Sequence, residues 1–169
     1  IEQWNYTTGA SLNHQIRDGY YRITLSRNVF HNELDRFENK ETGNEAKRIL
    51  KVRSEEAENK LRLDVNKFRN GWKFSYGLNL QQSVFKNSIY NKIRNEVRDT
   101  SGNLLQPAVV INGNDSLTFY KYGIFAQVSK YVLNDRLLIS AGIREDLNSF
   151  TNSGNSLSEN ISPRISFSY

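Results

Sequence analysis

The sequence predicts an all-β fold, an antiparallel meander of about seven long strands that forms part of a large transmembrane β-barrel. Apolar and polar residues alternate with a period of two over runs well beyond the ~5–6 residues of an ordinary strand. Short polar turns and long polar segments separate these runs in alternation, as in barrels of the bacterial outer membrane. The apolar residues of each run also lie near its short turn.

The clearest element is a hairpin around Asn134 and Asp135. Its apolar set is Tyr120, Tyr122, Ile124, Ala126, Val128 and Val132 before the turn, then Leu137, Ile139, Ala141, Ile143 and Leu147 after it. Because successive side chains of a strand point to opposite faces, each set covers one face. Two such strands joined by a tight polar turn form a β-hairpin.

The same layout recurs along the chain. Short turns are predicted at 17–19, 69–71 and 134–135, and long outer loops at 35–56, 87–117 and 150–158. Strands are predicted at 5–16, 20–34, 57–68, 72–86, 118–132, 136–149 and 159–169. The segment 87–117 contains apolar residues of its own, so it is expected either to form a hairpin above the membrane or to lie over the barrel mouth.

The faces of the strands can also be predicted. Side chains expected to point outward to lipid are Ile23, Leu63, Leu78, Ile124, Ile139 and Ile165. A ~25 Å apolar band crossed by tilted strands explains why such residues gather near the short turns. The far ends of the strands are expected to be polar on both faces. Arg27, Lys67 and Lys130 also have the outward parity. We expect Lys67 and Lys130 near the short turns, where a charge can reach water, and Arg27 near the outer interface.

Aromatic residues flank the short turns. They are Tyr20, Tyr21, Trp72 and Tyr131. Tyrosine and tryptophan favour the membrane–water interface, so these residues fit an aromatic belt. The alternative is that aromatic residues simply favour strands.

Composition excludes several other functions. The net charge is +5, but the basic residues are scattered among acidic ones, so no nucleic-acid partner is expected. The absence of cysteine leaves no disulfide framework and no thiolate metal site. Two histidines without spaced carboxylate partners make no metal site, and no nucleophile motif is present. Neither an enzyme nor a cofactor is therefore expected.

The strand number indicates a larger barrel. Bacterial single-chain barrels have an even number of strands, and an open edge in lipid leaves backbone groups unpaired. We therefore expect residues 1–169 to be one wall segment of a single barrel domain. Strands 5–16 and 159–169 should be its unpaired edges.

Four short segments follow one another near the C-terminal end of the sequence: Tyr122-Gly123-Ile124-Phe125-Ala126-Gln127, Leu133-Asn134-Asp135-Arg136-Leu137, Ala141-Gly142-Ile143-Arg144-Glu145-Asp146, and Ser162-Pro163-Arg164-Ile165-Ser166. They resemble the motifs of TonB-dependent outer-membrane receptors, in particular those of the Bacteroidetes. The motifs occur in the order of that family and cover about 118–169. Glu145 departs from the pattern, since the family usually has an aromatic residue there.

The resemblance implies a 22-stranded barrel closed by an N-terminal plug, which imports a scarce nutrient such as a siderophore, vitamin, glycan or peptide. It also implies the partners: outer-membrane lipid, the plug domain, and TonB. Neither a plug nor a TonB box is recognisable in residues 1–169. Two other interpretations of the strand pattern stay open. One is a small outer-membrane barrel acting as an adhesin or anchor, and the other is a soluble β-sheet binding module.

The candidate site consists of polar residues on the lumen parity. They are Lys73, Gln127, Arg144, Asp146 and Arg164. They are candidates for contact with a ligand or with the plug. A charge network that satisfies itself inside the wall is the alternative, and the pattern favours it. Lys60, Arg62 and Asp64 have the same parity on another strand, and the same two interpretations apply to them. Phe85, Phe119 and Phe125 are apolar on this parity and are expected either to pack against the plug or to line a ligand site, and packing is favoured.

Overall fold

A computed structural model describes residues 1–41, 43–154, 156 and 159–169. Its strands are β1 (Glu2–Ile16), β2 (Gly19–Phe37), β3 (Arg48–Arg69), β4 (Trp72–Arg94), β5 (Val97–Arg98), β6 (Leu104–Gln106), β7 (Val109–Val132), β8 (Leu137–Asn148) and β9 (Ile161–Ser168). Seven of them form one sheet in the order β1-β2-β3-β4-β7-β8-β9, and β5 pairs with β6 separately. The predicted all-β meander is confirmed.

Three tight turns connect the long strands where the sequence predicted them. Asn70 and Gly71 between β3 and β4 both have positive φ, 51° and 76°, as a type I′ hairpin turn requires. Between β7 and β8, Leu133, Asn134 and Asp135 have φ of 54°, 55° and 64°. Asparagine and aspartate tolerate this left-handed region better than other side chains that carry a Cβ.

Two of the predicted outer loops are too long. β2 continues to Phe37 and β3 begins at Arg48, so the loop is 38–47 rather than 35–56. β4 continues to Arg94 and β7 begins at Val109, so 95–108 replaces 87–117. The outer ends of these strands were predicted as loops because charged residues that pair across neighbouring strands give them the composition of a loop. In β2 and β3, Arg53 Nη2 donates to Glu33 Oε1 at 2.7 Å.

The first loop contains two short 3-10 turns, Glu38–Lys40 and Glu45–Lys47. The second contains the antiparallel β5–β6 pair, which confirms a hairpin within the predicted segment. The third predicted loop, 150–158, lies between β8 and β9, although residues 155, 157 and 158 fall outside the described residues. No helix in the described part of the chain is long and apolar enough to cross a membrane.

The chain divides into two compact units. The loop unit consists of Ile1–Tyr6, Val29–Ala57 and Val84–Thr118 and contains the loops 38–47 and 95–108. The turn unit consists of Thr7–Asn28, Glu58–Ser83 and Phe119–Tyr169 and contains the three tight turns.

Burial is sparse for a chain of this length. Among the described residues, the buried hydrophobic side chains are Val29 and Ala57, and no large side chain is fully buried. In the turn unit, Ile124 is 58% exposed and Ile165 is 71% exposed. Large apolar patches on a protein normally mark a membrane or partner surface. The turn unit therefore has an apolar face that needs an apolar environment.

Candidate functional site

The register of β7, β8 and β9 separates the two faces of the turn unit. Opposite pairs on one face include Val128 with Ala141 and Ala141 with Ile165. Pairs on the other face include Phe125 with Arg144, Gln127 with Gly142, and Gly142 with Arg164. Ile124, Ile139 and Ile165 thus share one face, while Gln127, Arg144 and Arg164 share the opposite one. We call these the apolar face and the polar face.

A row of polar side chains forms one edge of the apolar face. Arg27 Nη1 donates to Asn59 Oδ1 at 3.2 Å, and Asn59 Nδ2 donates to Gln82 Oε1 at 3.1 Å. Gln82 Nε2 then donates to the Tyr120 hydroxyl at 3.3 Å. Arg27 is therefore joined to a polar row rather than surrounded by aliphatic side chains, as its expected position at an interface requires.

The opposite edge of the apolar face lies beside the tight turns. The Lys130 ammonium sits 4.7 Å from the centre of the Trp72 ring, and Trp72 stacks with Phe74 at 6.5 Å. A cation over an indole face is an attractive contact, and both residue types suit a membrane–water interface. Of the charged residues on the outward parity, Arg27 and Lys130 thus lie at opposite edges of the apolar face.

Glu145 is an acidic residue within the apolar face. It lies opposite Ile124 on β7 and Ile161 on β9. Its Oε1 is buried without a hydrogen-bond partner among the described residues. Burial of an unpaired polar atom costs free energy. This is the position at which the sequence departs from the receptor pattern.

The polar face contains ion pairs formed along single strands. Arg144 Nε donates to Asp146 Oδ2 at 2.6 Å, and Arg144 Nη2 donates to Asp146 Oδ1 at 2.9 Å. Arg62 makes the same bidentate contact with Asp64, with Nε 2.8 Å from Oδ2 and Nη2 3.0 Å from Oδ1. Planar guanidinium–carboxylate pairs of this kind fix the direction in which the arginine points.

Hydroxyl groups complete the polar face near the β7–β8 turn. The buried Ser140 hydroxyl donates to Ser129 Oγ at 2.9 Å, and Gln127 Nε2 donates to the same oxygen at 3.3 Å. A cleft of about 350 Å³ opens beside them and is lined by Lys73, Gln127, Ser129 and Ser140 among others. Lys73 is therefore placed near Gln127.

A second cleft, of about 160 Å³, brings three arginines together. Its lining includes Arg62, Phe125, Gln127, Arg144 and Arg164. An adjacent cleft of about 250 Å³ shares Arg62, Phe125 and Arg144 and adds Lys60. Of the predicted site residues, Gln127, Arg144 and Arg164 meet here, and Asp146 joins through its pair with Arg144. Lys73 lies in the other cleft.

The structure brings Arg62 and Phe125 into the same clefts as Arg144. Their lumen parity was visible in the sequence, but the proximity of β3 to β8 was not, since it depends on long-range strand pairing. Gly123 lines the cleft of about 250 Å³, and Gly77 lies beside the Phe125 ring. A Cβ atom on Gly77 would lie 2.8 Å from Phe125 Cε1, and one on Gly123 would lie 2.9 Å from Asp146 Oδ1. Glycine at both positions lets the Phe125 ring and the Asp146 carboxylate lie close to the sheet.

The loop unit contains contacts between polar side chains. Arg53 bonds Glu33 at 2.7 Å, Lys86 lies 3.7 Å from Glu55, and His31 stacks on Trp4 at 5.0 Å. Strand residues of the opposite parity include both apolar and polar side chains, such as Phe30, Leu34 and Val52 on the one hand and Asn32, Ser54 and Glu56 on the other. That the far strand ends are polar on both faces stays a prediction.

The tip of the β5–β6 hairpin is held by one aspartate. Asp99 Oδ1 accepts from the backbone N–H groups of Ser101 and Asn103, at 2.9 Å and 2.8 Å. Asp99 Oδ2 accepts from Asn103 Nδ2 at 2.9 Å. The hydrogen bond from the Asn103 side chain, followed by the backbone bonds, holds the pKa of Asp99 below its ordinary value of 3.8.

Comparison with protein families gives one match. The family described as TonB dependent receptor-like, beta-barrel, matches residues 1–169. No curated protein matches the sequence.

Proposed function

Since the chain belongs to the TonB-dependent receptor β-barrel family, an outer-membrane family, we propose that it forms the wall of a receptor that imports a scarce nutrient. The candidate nutrients are a siderophore, a vitamin, a glycan or a peptide. The match over 1–169 is the observation that carries the proposal. Members of this family are transporters, so we assign no catalytic residue.

The turn unit supplies the part of the wall that would cross the membrane. Its apolar face, between the row at Arg27 and the Lys130–Trp72 contact, would meet lipid. Its polar face, with Lys73, Gln127, Arg144, Asp146 and Arg164, would then meet the water-filled or plugged interior. Alternation of lipid-facing and lumen-facing residues is what such walls require.

Further segments of the receptor would complete the barrel. Strands β1 and β9 stand at the two ends of the sheet order. In lipid, the backbone groups of such end strands need partners. We therefore assign 1–169 to a barrel wall with additional strands, a plug domain and a TonB box supplied by other segments. The motifs around Phe125, Arg144 and Arg164 support a receptor of the Bacteroidetes type.

The test is uptake by cells that lack the receptor. Deleting its gene should abolish the energy-dependent uptake of one labelled nutrient among a ferric siderophore, cobalamin, an oligosaccharide and a peptide. A plasmid copy should restore that uptake, and collapse of the proton gradient should remove it again. Unchanged uptake of all four in the deletion strain, in a parent that displays the receptor in its outer membrane, would contradict the proposal.

A further inference from the structure

We infer that the cleft lined by Arg62, Gln127, Arg144 and Arg164 on the polar face of the turn unit binds an anionic group, a carboxylate or a phosphate, of a solute inside the barrel. The inference rests on the proposed function in one respect, because only a channel or receptor interior admits such a solute. It adds the chemical class of the solute. Everything else comes from the cleft itself.

The positive charge at the cleft is not balanced by acidic residues. Three guanidinium groups line it, and no carboxylate does. Asp64 and Asp146 are each engaged by one arginine on their own strand, at 2.8 Å and 2.6 Å. Arg164 has no carboxylate within ion-pair distance anywhere in the described part of the chain. A network that satisfied itself would need a third acid, so the cleft retains an uncompensated positive charge.

Arg62 and Arg144 keep N–H donors that are not used in their contacts with aspartate. Arg62 and Arg144 use Nε and Nη2 to hold their aspartates, and no bond to Nη1 of either is formed by the described residues. The aspartate contacts hold both guanidinium groups in place without using all five of their N–H donors. Arginines fixed in this way lose little conformational entropy when an anion binds, which favours binding.

The size of the cleft matches that of a small anionic group. A volume of about 160 Å³ equals on the order of five water molecules. That suits a carboxylate or phosphate group, but it is too small for a whole siderophore. The cleft of about 250 Å³ that shares Arg62 and Arg144 has room for more of the solute. Phe125, lying close over Gly77, offers an apolar surface between the charges.

The experiment uses the purified full-length receptor in detergent micelles, with inorganic pyrophosphate as the probe. Isothermal titration calorimetry at low ionic strength should show saturable binding. Arg164→Gln should weaken binding about tenfold, as expected for the loss of one hydrogen bond to a charged group. Arg164→Lys keeps the positive charge but loses the planar guanidinium group. The affinity of this variant for pyrophosphate should therefore lie between that of the wild-type receptor and that of Arg164→Gln. Arg164 has no carboxylate partner, so neither substitution leaves a buried acid unpaired.

Lys121→Gln is the matched control. Lys121 opposes Asn148 in the same register, lies over the Phe119 ring at 5.5 Å, and does not line the cleft. The substitution Lys121→Gln removes one positive charge, as Arg164→Gln does. The affinity of this variant for pyrophosphate should differ from that of the wild-type receptor by less than twofold. The inference is overturned if the wild-type receptor shows no saturable binding, or if Lys121→Gln weakens binding as much as Arg164→Gln. Binding with this pattern in a receptor that imports none of the tested nutrients would overturn the proposed function and leave the anion site standing.

Discussion

At the scale of single residues, Gly77 decides how closely Phe125 approaches the sheet. A methyl group at this position would overlap the Leu63 carbonyl oxygen and lie 2.8 Å from Phe125 Cε1. The carbonyl belongs to the backbone and has little room to move. We expect Gly77→Ala to destabilise the folded barrel by about 1–3 kcal/mol, the usual cost of overpacking.

Gly113→Ala is the control for this prediction. A Cβ there would meet only the tip of the Ile89 side chain, at 3.3 Å. Both variants can be compared by the temperature at which the detergent-solubilised receptor loses its β-sheet circular dichroism. An equal melting temperature for Gly77→Ala and wild type would show that the strand can shift to accept the methyl group.

Asp99 makes the β5–β6 hairpin sensitive to acid. Hydrogen bonds to its carboxylate lower its pKa, so the ionised form stabilises the hairpin at every pH above the ordinary value of 3.8. This stabilisation is lost as the pH falls through the lower pKa of the folded hairpin. Protection is the intrinsic exchange rate divided by the observed rate at the same pH. Asp99→Ala should lower the protection of amides in 95–108 at neutral pH to the level that wild type reaches only in acid.

Thr100→Ala is the control, because its side chain makes no hydrogen bond among the described residues. Hydrogen–deuterium exchange measured by mass spectrometry on the full-length receptor gives the comparison. The assignment fails if the protection of 95–108 in wild type, corrected for the intrinsic rate at each pH, is the same at neutral pH and in strong acid, or if both variants show the same protection.

At the scale of elements, β7 carries two different environments on residues of one parity. Ile124 belongs to the apolar face of the turn unit and is 58% exposed, whereas Ser116 lines a polar cleft of the loop unit. Arginine on a lipid-facing position near the bilayer midplane costs about 2–4 kcal/mol. Ile124→Arg should therefore strongly reduce assembly into the outer membrane. Ser116→Arg should change stability by less than about 0.5 kcal/mol, as at an ordinary surface position.

Quantifying the folded receptor in isolated outer membranes distinguishes the two variants. Heat-modifiable electrophoretic mobility reports the folded fraction. Normal assembly of Ile124→Arg would mean that this face does not meet lipid.

The element scale also shows what the sequence could predict. Strand alternation and the Asn70-Gly71 turn are local signals, so the number, order and turns of the strands followed from them. The outer ends of β2, β3, β4 and β7 did not, because their polar residues are stabilised by partners such as Glu33 and Arg53, twenty positions apart. The same holds for the site. Parity gave its face, but only the pairing of the strands brings Arg62 to Arg144 and Arg164.

At the scale of the whole molecule, β1 and β9 determine what residues 1–169 can do alone. They are the end strands of the seven-stranded order, and every residue of β9 is exposed. Unpaired strand edges tend to pair with other chains. We expect the isolated segment in detergent to form oligomers or aggregates rather than a closed monomer. Size-exclusion chromatography with light scattering tests this, and a stable monomer with β1 paired to β9 would contradict it.

The most direct test of the whole account is cysteine accessibility in the full-length receptor in outer membranes. Residues 1–169 contain no cysteine. Labelling of single cysteines at 124, 139, 127 and 164 is therefore compared with labelling of the unsubstituted receptor, which gives the background from its other segments. We predict that Ile124→Cys and Ile139→Cys react with a lipid-soluble maleimide and resist a charged aqueous thiol reagent. Gln127→Cys and Arg164→Cys should show the opposite preference, because a strand presents alternate residues to opposite faces. Preferential aqueous labelling at 124 and 139 would contradict the assignment of the apolar face to lipid and, with it, the membrane wall.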